Sequence, residues 1–378
     1  MISVTDRLRY GRTVERETGL SEPRKPVVVW NCTRRCNLAC KHCYSASTDV
    51  LASDELSTVE AARMIDDLAA FACPVLLFSG GEPAMREDLP ELVHRAGQAG
   101  MRTALSTNGT LLNDALVSEL AEAGLNYAGV SLDGMEQTND AFRGVKGAFN
   151  DAMEGIRNCL AAGMKVGLRL TMNAQNVAEI PDIFDLIQAE GIPRVCFYHL
   201  VSSGRGAALG SQALSHQQTR DAVDLIMDQA AALVGSGRPT EVLTVDNHAD
   251  GPYVYLRLAR EDPDRADQCL ELLQSSGGNS SGSGIGCVSW DGDVLPDQFW
   301  RSRVLGNIRR RQFSEIWADP GHPFLAKLRD RKSHLNCRCK RCRWLGVCNG
   351  NLRARAEAAT RDPWGDDPAC YLTDEEIS

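Results

Sequence analysis

Six short, apolar, β-branched runs alternate with amphipathic stretches between Val27 and Leu200, and this alternation constrains the fold more than any other feature of the chain. The runs are VVVWNC (27–32), VLLFS (75–79), RTALST (102–107), YAGVSL (127–132), VGLRLTM (166–172) and RVCFYHL (194–200). Each reads as a strand. The stretches between them carry helix start signals. Ser57 and Glu60 form a capping box before Ala61, Met64, Ile65 and Leu68. Asn113 precedes Ala115, Leu116 and Leu120, and Pro181 stands at the first turn of a helix through Ile183, Leu186 and Ile187. Repeated strand–helix–strand units imply a parallel sheet. Six units are fewer than the eight of a closed barrel, so the expected fold is α/β, a partial, open (β/α)6 TIM-like barrel with ligands at the carboxyl ends of its strands.

The pattern changes after Leu200. Ser202–Gly210 is a glycine-rich loop, Gln217–Val234 reads as one amphipathic helix, and Leu256–Leu273 as a second helical stretch broken by Pro263. SSGGNSSGSGIG (275–286) has the composition of a flexible linker, or else of a loop whose backbone approaches a ligand. CVSWDGDVLPDQFW (287–300) reads as a hairpin turning at Asp291–Gly292. These changes divide the chain into an N-terminal extension (1–24), a core (25–200), a helical and loop segment over the pocket (201–285) and a cysteine-rich C-terminal domain (286–378).

The 14 cysteines are clustered. Cys36, Cys40 and Cys43 lie in CNLACKHCY, directly after the first strand and so on the carboxyl-end face. Three thiolates this close can hold three corners of a cubane iron–sulfur cluster and leave the fourth iron open, whereas an electron carrier normally supplies four. Zinc is the rival ligand and would draft His42 or Cys32 as a fourth donor. Cys339, Cys342, Cys348 and Cys370 form a second set that would close a coordination shell around a cluster or a zinc ion. Cys337 is too near Cys339 for both to serve comfortably, and Cys339 is preferred. Cys73, Cys159 and Cys196 sit among apolar neighbours and read as core residues. A cysteine-rich chain with no secretory signal points to metal binding in a reducing, cytoplasmic setting. No apolar run approaches a membrane span, and a net charge of −9 argues against nucleic acid.

C-x3-C-x2-C followed by Tyr44, with Ser79-Gly80-Gly81-Glu82-Pro83 one βα unit later, resembles the radical S-adenosylmethionine (SAM) superfamily. That resemblance implies a [4Fe–4S] cluster whose open iron chelates SAM and an electron that cleaves SAM to a 5′-deoxyadenosyl radical. It implies SAM contacts from Tyr44, Gly80, Gly81, Glu82 and Pro83, with Glu82 beside the methionyl ammonium, and from Ser106, Asn108, Ser131 and Asp133 at the next two strand ends. Arg169, in an otherwise apolar strand, would be costly to bury unpaired, so a SAM carboxylate or Asp133 is its expected partner. The C-terminal set resembles the shortened auxiliary-cluster domains related to the SPASM group, which implies a second [4Fe–4S] cluster.

VVVWNCTRRCNLACKHCYS, VSLDGMEQTNDAFRG and CNGNLRARAEAATRDPWGDDPACYLTDEEI are similar to tetrapyrrole-modifying radical SAM enzymes. EVLTVDNHADGPYVYLRL and GNSSGSGIGCVSWDGDVLPDQFW are most similar to the branch that removes two acetate side chains from iron 12,18-didecarboxysiroheme. An iron tetrapyrrole needs cations for its carboxylates and has room for an axial imidazole; His199, Arg205, His248 and Arg301 are the candidates. A low-potential donor of the flavodoxin or ferredoxin type would supply electrons. The rival readings are a heme d1 enzyme acting on propionates, a peptide-maturing radical SAM enzyme and a two-cluster electron carrier.

Overall fold

The computed structural model describes residues 1–8, 25–238 and 240–378, with the side chain of Cys337 excluded. The expected N-terminal extension therefore lies largely outside the described residues. One 11-stranded sheet organises the rest. Its strands are β1 (Ile2–Ser3), β2 (Val27–Thr33), β3 (Val75–Gly80), β4 (Arg102–Thr107), β5 (Tyr127–Ser131), β6 (Val166–Met172), β7 (Arg194–His199), β8 (Glu241–Val245), β9 (Ile285–Val288), β10 (Asp293–Leu295) and β11 (Gly306–Asn307). The spatial order is β1-β8-β7-β6-β5-β4-β3-β2-β9-β10-β11.

The six expected strands are β2 to β7, and they pair in parallel in sequence order. The parallel run is longer than the sequence suggests, because β8 joins β7 and β9 joins β2, both in parallel. The barrel nevertheless stays open. β1 covers the free edge of β8 and β10 that of β9, each antiparallel, so both edges are paired locally. The hairpin expected at Asp291–Gly292 is β9–β10, and Gly292 supplies a positive φ of 85° at its turn.

Helices shield the outer face. Ser57 caps Thr58–Ala70 in a complete capping box with Glu60, and Asn113 caps Asp114–Glu122. Trp30, Phe78, Leu105, Val130, Leu168 and Phe197 point outward into the main core. The alternate residues Val29 and Leu77 meet Cys287 and Leu295 on the inner face. Burial on both sides explains why the strands read as continuous apolar runs. Cys73 and Cys159 lie in the main core, and Cys196 packs inside the barrel with Leu243 and Val245.

Residues 277–284 are a packed loop, which corrects the linker expectation. Asn279 and Ser281 are buried, and the buried Arg331 guanidinium donates to Asn279 Oδ1 and to the Ser281 carbonyl. A Cβ on Gly278 would stand 2.4 Å from the Cys348 backbone. The glycines admit other protein backbone here, a requirement that composition alone does not distinguish from flexibility.

Candidate active site at the barrel mouth

The register of β2 against β3 shifts between Asn31 and Thr33, immediately before the Cys36–Cys43 loop, and turns the chain into the barrel mouth. β3 clamps that loop from one side. Gly81 N donates to Thr33 O at 2.7 Å, and Glu82 N to Arg35 O at 2.8 Å. A Cβ on Gly80 (φ +126°) would lie 2.4 Å from Thr33 O, and one on Gly81 2.1 Å from Arg35 O. The two glycines are thus required by the close approach of the cysteine loop. Arg205 clamps the other side. Its backbone N–H donates to Cys43 O at 3.0 Å, its Nε to Cys40 O at 2.9 Å and its Nη1 to Ser47 O at 2.6 Å. These bonds hold the cysteine loop and leave Arg205 Nη2 buried without a hydrogen-bond partner among the described residues.

Each sulfur of the loop faces donors. Leu38 N lies 3.4 Å from Cys36 Sγ, Arg143 Nη1 3.6 Å from Cys40 Sγ, and Ser47 N 3.5 Å and Ser45 Oγ 3.2 Å from Cys43 Sγ. Burial pushes the Cys36 thiol up to about 12. Burial also raises Cys43, but hydrogen bonds from Ser45 and Ser47 and the charge of Arg205 outweigh it and leave that thiol below its ordinary value. Among the described residues no three His, Cys, Asp or Glu side chains converge closely enough for a single metal ion. Three thiolates facing N–H, guanidinium and hydroxyl donors are a ligand set that would hold three irons of a cubane and leave the fourth open. The donor set therefore fits an iron–sulfur cluster.

Beside this loop opens a cavity with about 720 Å³ of empty space, part of it open to solvent. Of the expected SAM contacts, Tyr44, Ser106, Ser131 and Arg169 line it. Tyr44 is oriented through its hydroxyl, which donates to Asn31 Oδ1 at 2.8 Å and accepts from Ser79 Oγ at 2.9 Å. Arg169 engages Ser106 and Tyr198, its Nε lying 2.8 Å from the Tyr198 hydroxyl, and has no ion-pair partner among the described residues. Asp133, the expected alternative, is elsewhere engaged: Arg143 Nη2 stands 2.6 Å and His42 Nε2 3.3 Å from its Oδ2.

Gly80, Gly81, Glu82, Pro83, Asn108 and Asp133 do not line the cavity but brace its rim. The buried Glu82 carboxylate accepts from Thr107 Oγ1 and Asn108 N, both at 2.7 Å, and from Ala84 N at 3.0 Å. Two of these bonds tie the end of β3 to the end of β4, and the third caps the turn that follows β3. Asn108 Nδ2 holds Asn37 Oδ1 at 2.8 Å, steadying the cysteine loop.

Two lining residues, Arg143 and Asp246, escaped the sequence reading, and a third, His42, was weighed there only as a zinc donor. His42 is stacked on Phe142 with ring centroids 4.8 Å apart, and burial lowers it to about 4. Arg143 and Asp246 also line the mouth. Asp246 adopts φ +67°, and burial raises its carboxyl to about 6. An unpaired charge inside an apolar segment, the signal that marked Arg169, is missing around all three.

Cys339, Cys342, Cys348 and Cys370 surround one cavity in the C-terminal region, with Arg338 Nη1 3.4 Å from Cys370 Sγ. Four sulfurs around one space fit a closed cluster shell. The choice between Cys337 and Cys339 turns on a side chain outside the described ones. Cys269 and Cys287 are buried in the core, away from this cavity.

The remaining substrate candidates separate. His199 lines the barrel mouth with Nε2 2.8 Å from Asp250 Oδ2. Arg301 stacks on Trp290 at 3.9 Å and pairs with Asp291 at 3.3 Å, over a different, outward-facing hollow. Its expected approach to the barrel mouth is corrected. His248 is not among the residues lining the mouth, and its backbone N–H donates to Asn351 Oδ1 at 2.7 Å.

Residues 30–187 match the model of the radical SAM superfamily, and residues 281–343 that of an iron–sulfur cluster-binding domain. The chain belongs to the radical SAM superfamily and carries a SPASM-type C-terminal region, which gives it a SAM-binding [4Fe–4S] centre and auxiliary iron–sulfur binding. It is 55% identical over 100% of its length, and 96% of the relative's, to the Fe-coproporphyrin III synthase of Methanosarcina barkeri. It is 43% identical to the pre-heme d1 synthase of Dinoroseobacter shibae, over 92% of this chain and 87% of that one. The fold is shared with Streptococcus suis SuiB bound to S-adenosylmethionine, at a TM-score of 0.71 and 16% identity, over 93% of this chain and 78% of SuiB.

Proposed function

We propose that the chain removes two acetate side chains from iron 12,18-didecarboxysiroheme to give iron coproporphyrin III. The observation that carries the chemistry is a three-cysteine loop, clamped by β3 and by Arg205, beside a cavity lined by an arginine that has no ion-pair partner among the described residues. A cluster held by Cys36, Cys40 and Cys43, together with bound SAM, would supply a 5′-deoxyadenosyl radical. Here the chain's own groups orient SAM. Arg169 takes the SAM carboxylate, Ser106 and Ser131 present hydroxyls to its polar groups, and Tyr44 walls the cluster side. Glu82, Asn108 and Asp133 act one step back by fixing the strand ends.

The full-length likeness to an Fe-coproporphyrin III synthase supports the acetate reading over the heme d1 reading. The resemblance to SuiB extends to the fold alone. Cys339, Cys342, Cys348 and Cys370 hold the auxiliary cluster in this proposal. A flavodoxin- or ferredoxin-like donor reduces the enzyme in the cytoplasm. No helix among the described residues is long and apolar enough to cross a membrane. The test is anaerobic incubation with SAM, reductant and iron didecarboxysiroheme. Release of acetate with a porphyrin spectrum supports the proposal; loss of propionate carbons with the acetates retained moves the chain to the heme d1 reaction.

A further inference from the structure

A second cavity adjoins the barrel mouth, with about 1070 Å³ of empty space. Its lining is largely apolar and of low relief, with Met172, Ala207, Ala213, Leu214, Ala358 and Ala369 among the walls. His199 and Leu200, where β7 ends, line both this cavity and the mouth, so His199 stands where the two spaces meet. Four other polar groups of the second cavity are already engaged, with Thr219 Oγ1 donating to Ser215 O and Asn247 Nδ2 to Ala369 O, both at 2.9 Å. Arg355 is paired with Asp367 at 2.8 Å, and His216 Nε2 meets the Pro368 carbonyl at 2.8 Å.

His199 is held by two buried groups. Its Nε2 lies 2.8 Å from Asp250 Oδ2, and the other carboxylate oxygen accepts from the Tyr371 hydroxyl at 2.7 Å. Asp250 is fully buried and Tyr371 nearly so. A carboxylate only accepts, so Nε2 carries the proton and Nδ1 keeps the lone pair. A ring oriented by a carboxylate through one nitrogen, with the other free to bind, is the usual arrangement of a metal-ligating histidine.

We propose that the second cavity seats the tetrapyrrole plane and that His199 Nδ1 is the axial ligand of the substrate iron, with Asp250 and Tyr371 as positioning residues. This rests on the tetrapyrrole reading above. The macrocycle lies against the alanine- and leucine-lined wall, and the histidine fixes which ring edge reaches the mouth.

The test uses the full chain with both clusters reconstituted and iron coproporphyrin III as the probe. In the ferrous complex, resonance Raman should show an iron–histidine stretching band. His199→Ala should abolish that band, and added imidazole should restore one. Asp250→Asn, which keeps the shape, should retain the band but shift it to lower frequency, because a neutral partner makes the imidazole a weaker donor; a purely structural histidine would show no such shift. A wild-type band that survives in His199→Ala, or its absence from a wild-type complex that binds the probe, overturns the axial assignment and leaves the deacetylase reading standing. Failure of the wild-type chain to bind the probe overturns both.

Discussion

At the scale of single residues, two charges at the barrel mouth define the site. Arg169 is held inside the barrel by hydroxyl groups and the face of Tyr198, whose ring centroid lies 4.8 Å from the guanidinium carbon. A buried cation without a carboxylate is costly unless a ligand completes it. Arg169→Met should therefore weaken SAM binding about 10- to 100-fold, the loss expected for a charge-assisted hydrogen bond of ~1.5–3 kcal/mol. Equilibrium dialysis with labelled SAM checks this, and an unchanged Kd would remove Arg169 from the SAM site. Asp246 has the opposite problem, since burial raises its carboxyl to about 6. Its folded pKa exceeds the unfolded value, so the folded state is penalised above pH 6 and relieved as pH falls toward 4. Asp246→Asn, which tolerates the positive φ, should be more stable than wild type by about 1–3 kcal/mol at pH 8, with the difference vanishing near pH 4. Anaerobic urea unfolding at the two pH values measures it, and a gain independent of pH would contradict the stated cause.

At the scale of elements, the cysteine loop is specified by its clamps as much as by its thiols. Gly81→Ala places a methyl 2.1 Å from Arg35 O, so the loop must shift. We expect a cost of about 1–3 kcal/mol or more, loss of iron from the first cluster and retention of the second. Iron analysis with Mössbauer spectroscopy would detect this, and full iron in both sites would show that the clamp is dispensable. Much of this level was legible in the sequence. The strands β2 to β7, the caps at Ser57 and Asn113, and both cysteine groups follow from local pattern. What was not legible depends on partners distant in the chain. β8 (EVLTV) is five residues long and acquires its place by pairing with β7 on one side and β1 on the other. The 277–284 loop is ordered by Arg331, about 50 positions on. Glu82 and Arg205 suggest ligand contacts by residue type, yet the fold uses their hydrogen bonds to join β3 to β4 and to hold the cysteine loop.

At the scale of the whole molecule, two cysteine sites share one structure, a three-cysteine loop beside the barrel mouth and a cavity lined by four cysteines near the C-terminus. The anaerobically reconstituted chain should carry about 8 irons, and the Cys36/Cys40/Cys43→Ala variant about 4. Zinc in place of the residual iron would identify the C-terminal site as a structural zinc centre. Radical chemistry at the three-cysteine site and removal of the tetrapyrrole's acetates are one reaction if they are stoichiometrically coupled. With SAM, reductant and iron didecarboxysiroheme under anaerobic conditions, 5′-deoxyadenosine and acetate are counted together. They should appear in equal amounts, one to one, as the porphyrin spectrum grows, and both should disappear in the triple cysteine variant. Acetate formed without 5′-deoxyadenosine, or 5′-deoxyadenosine formed in the triple variant, would contradict this coupling.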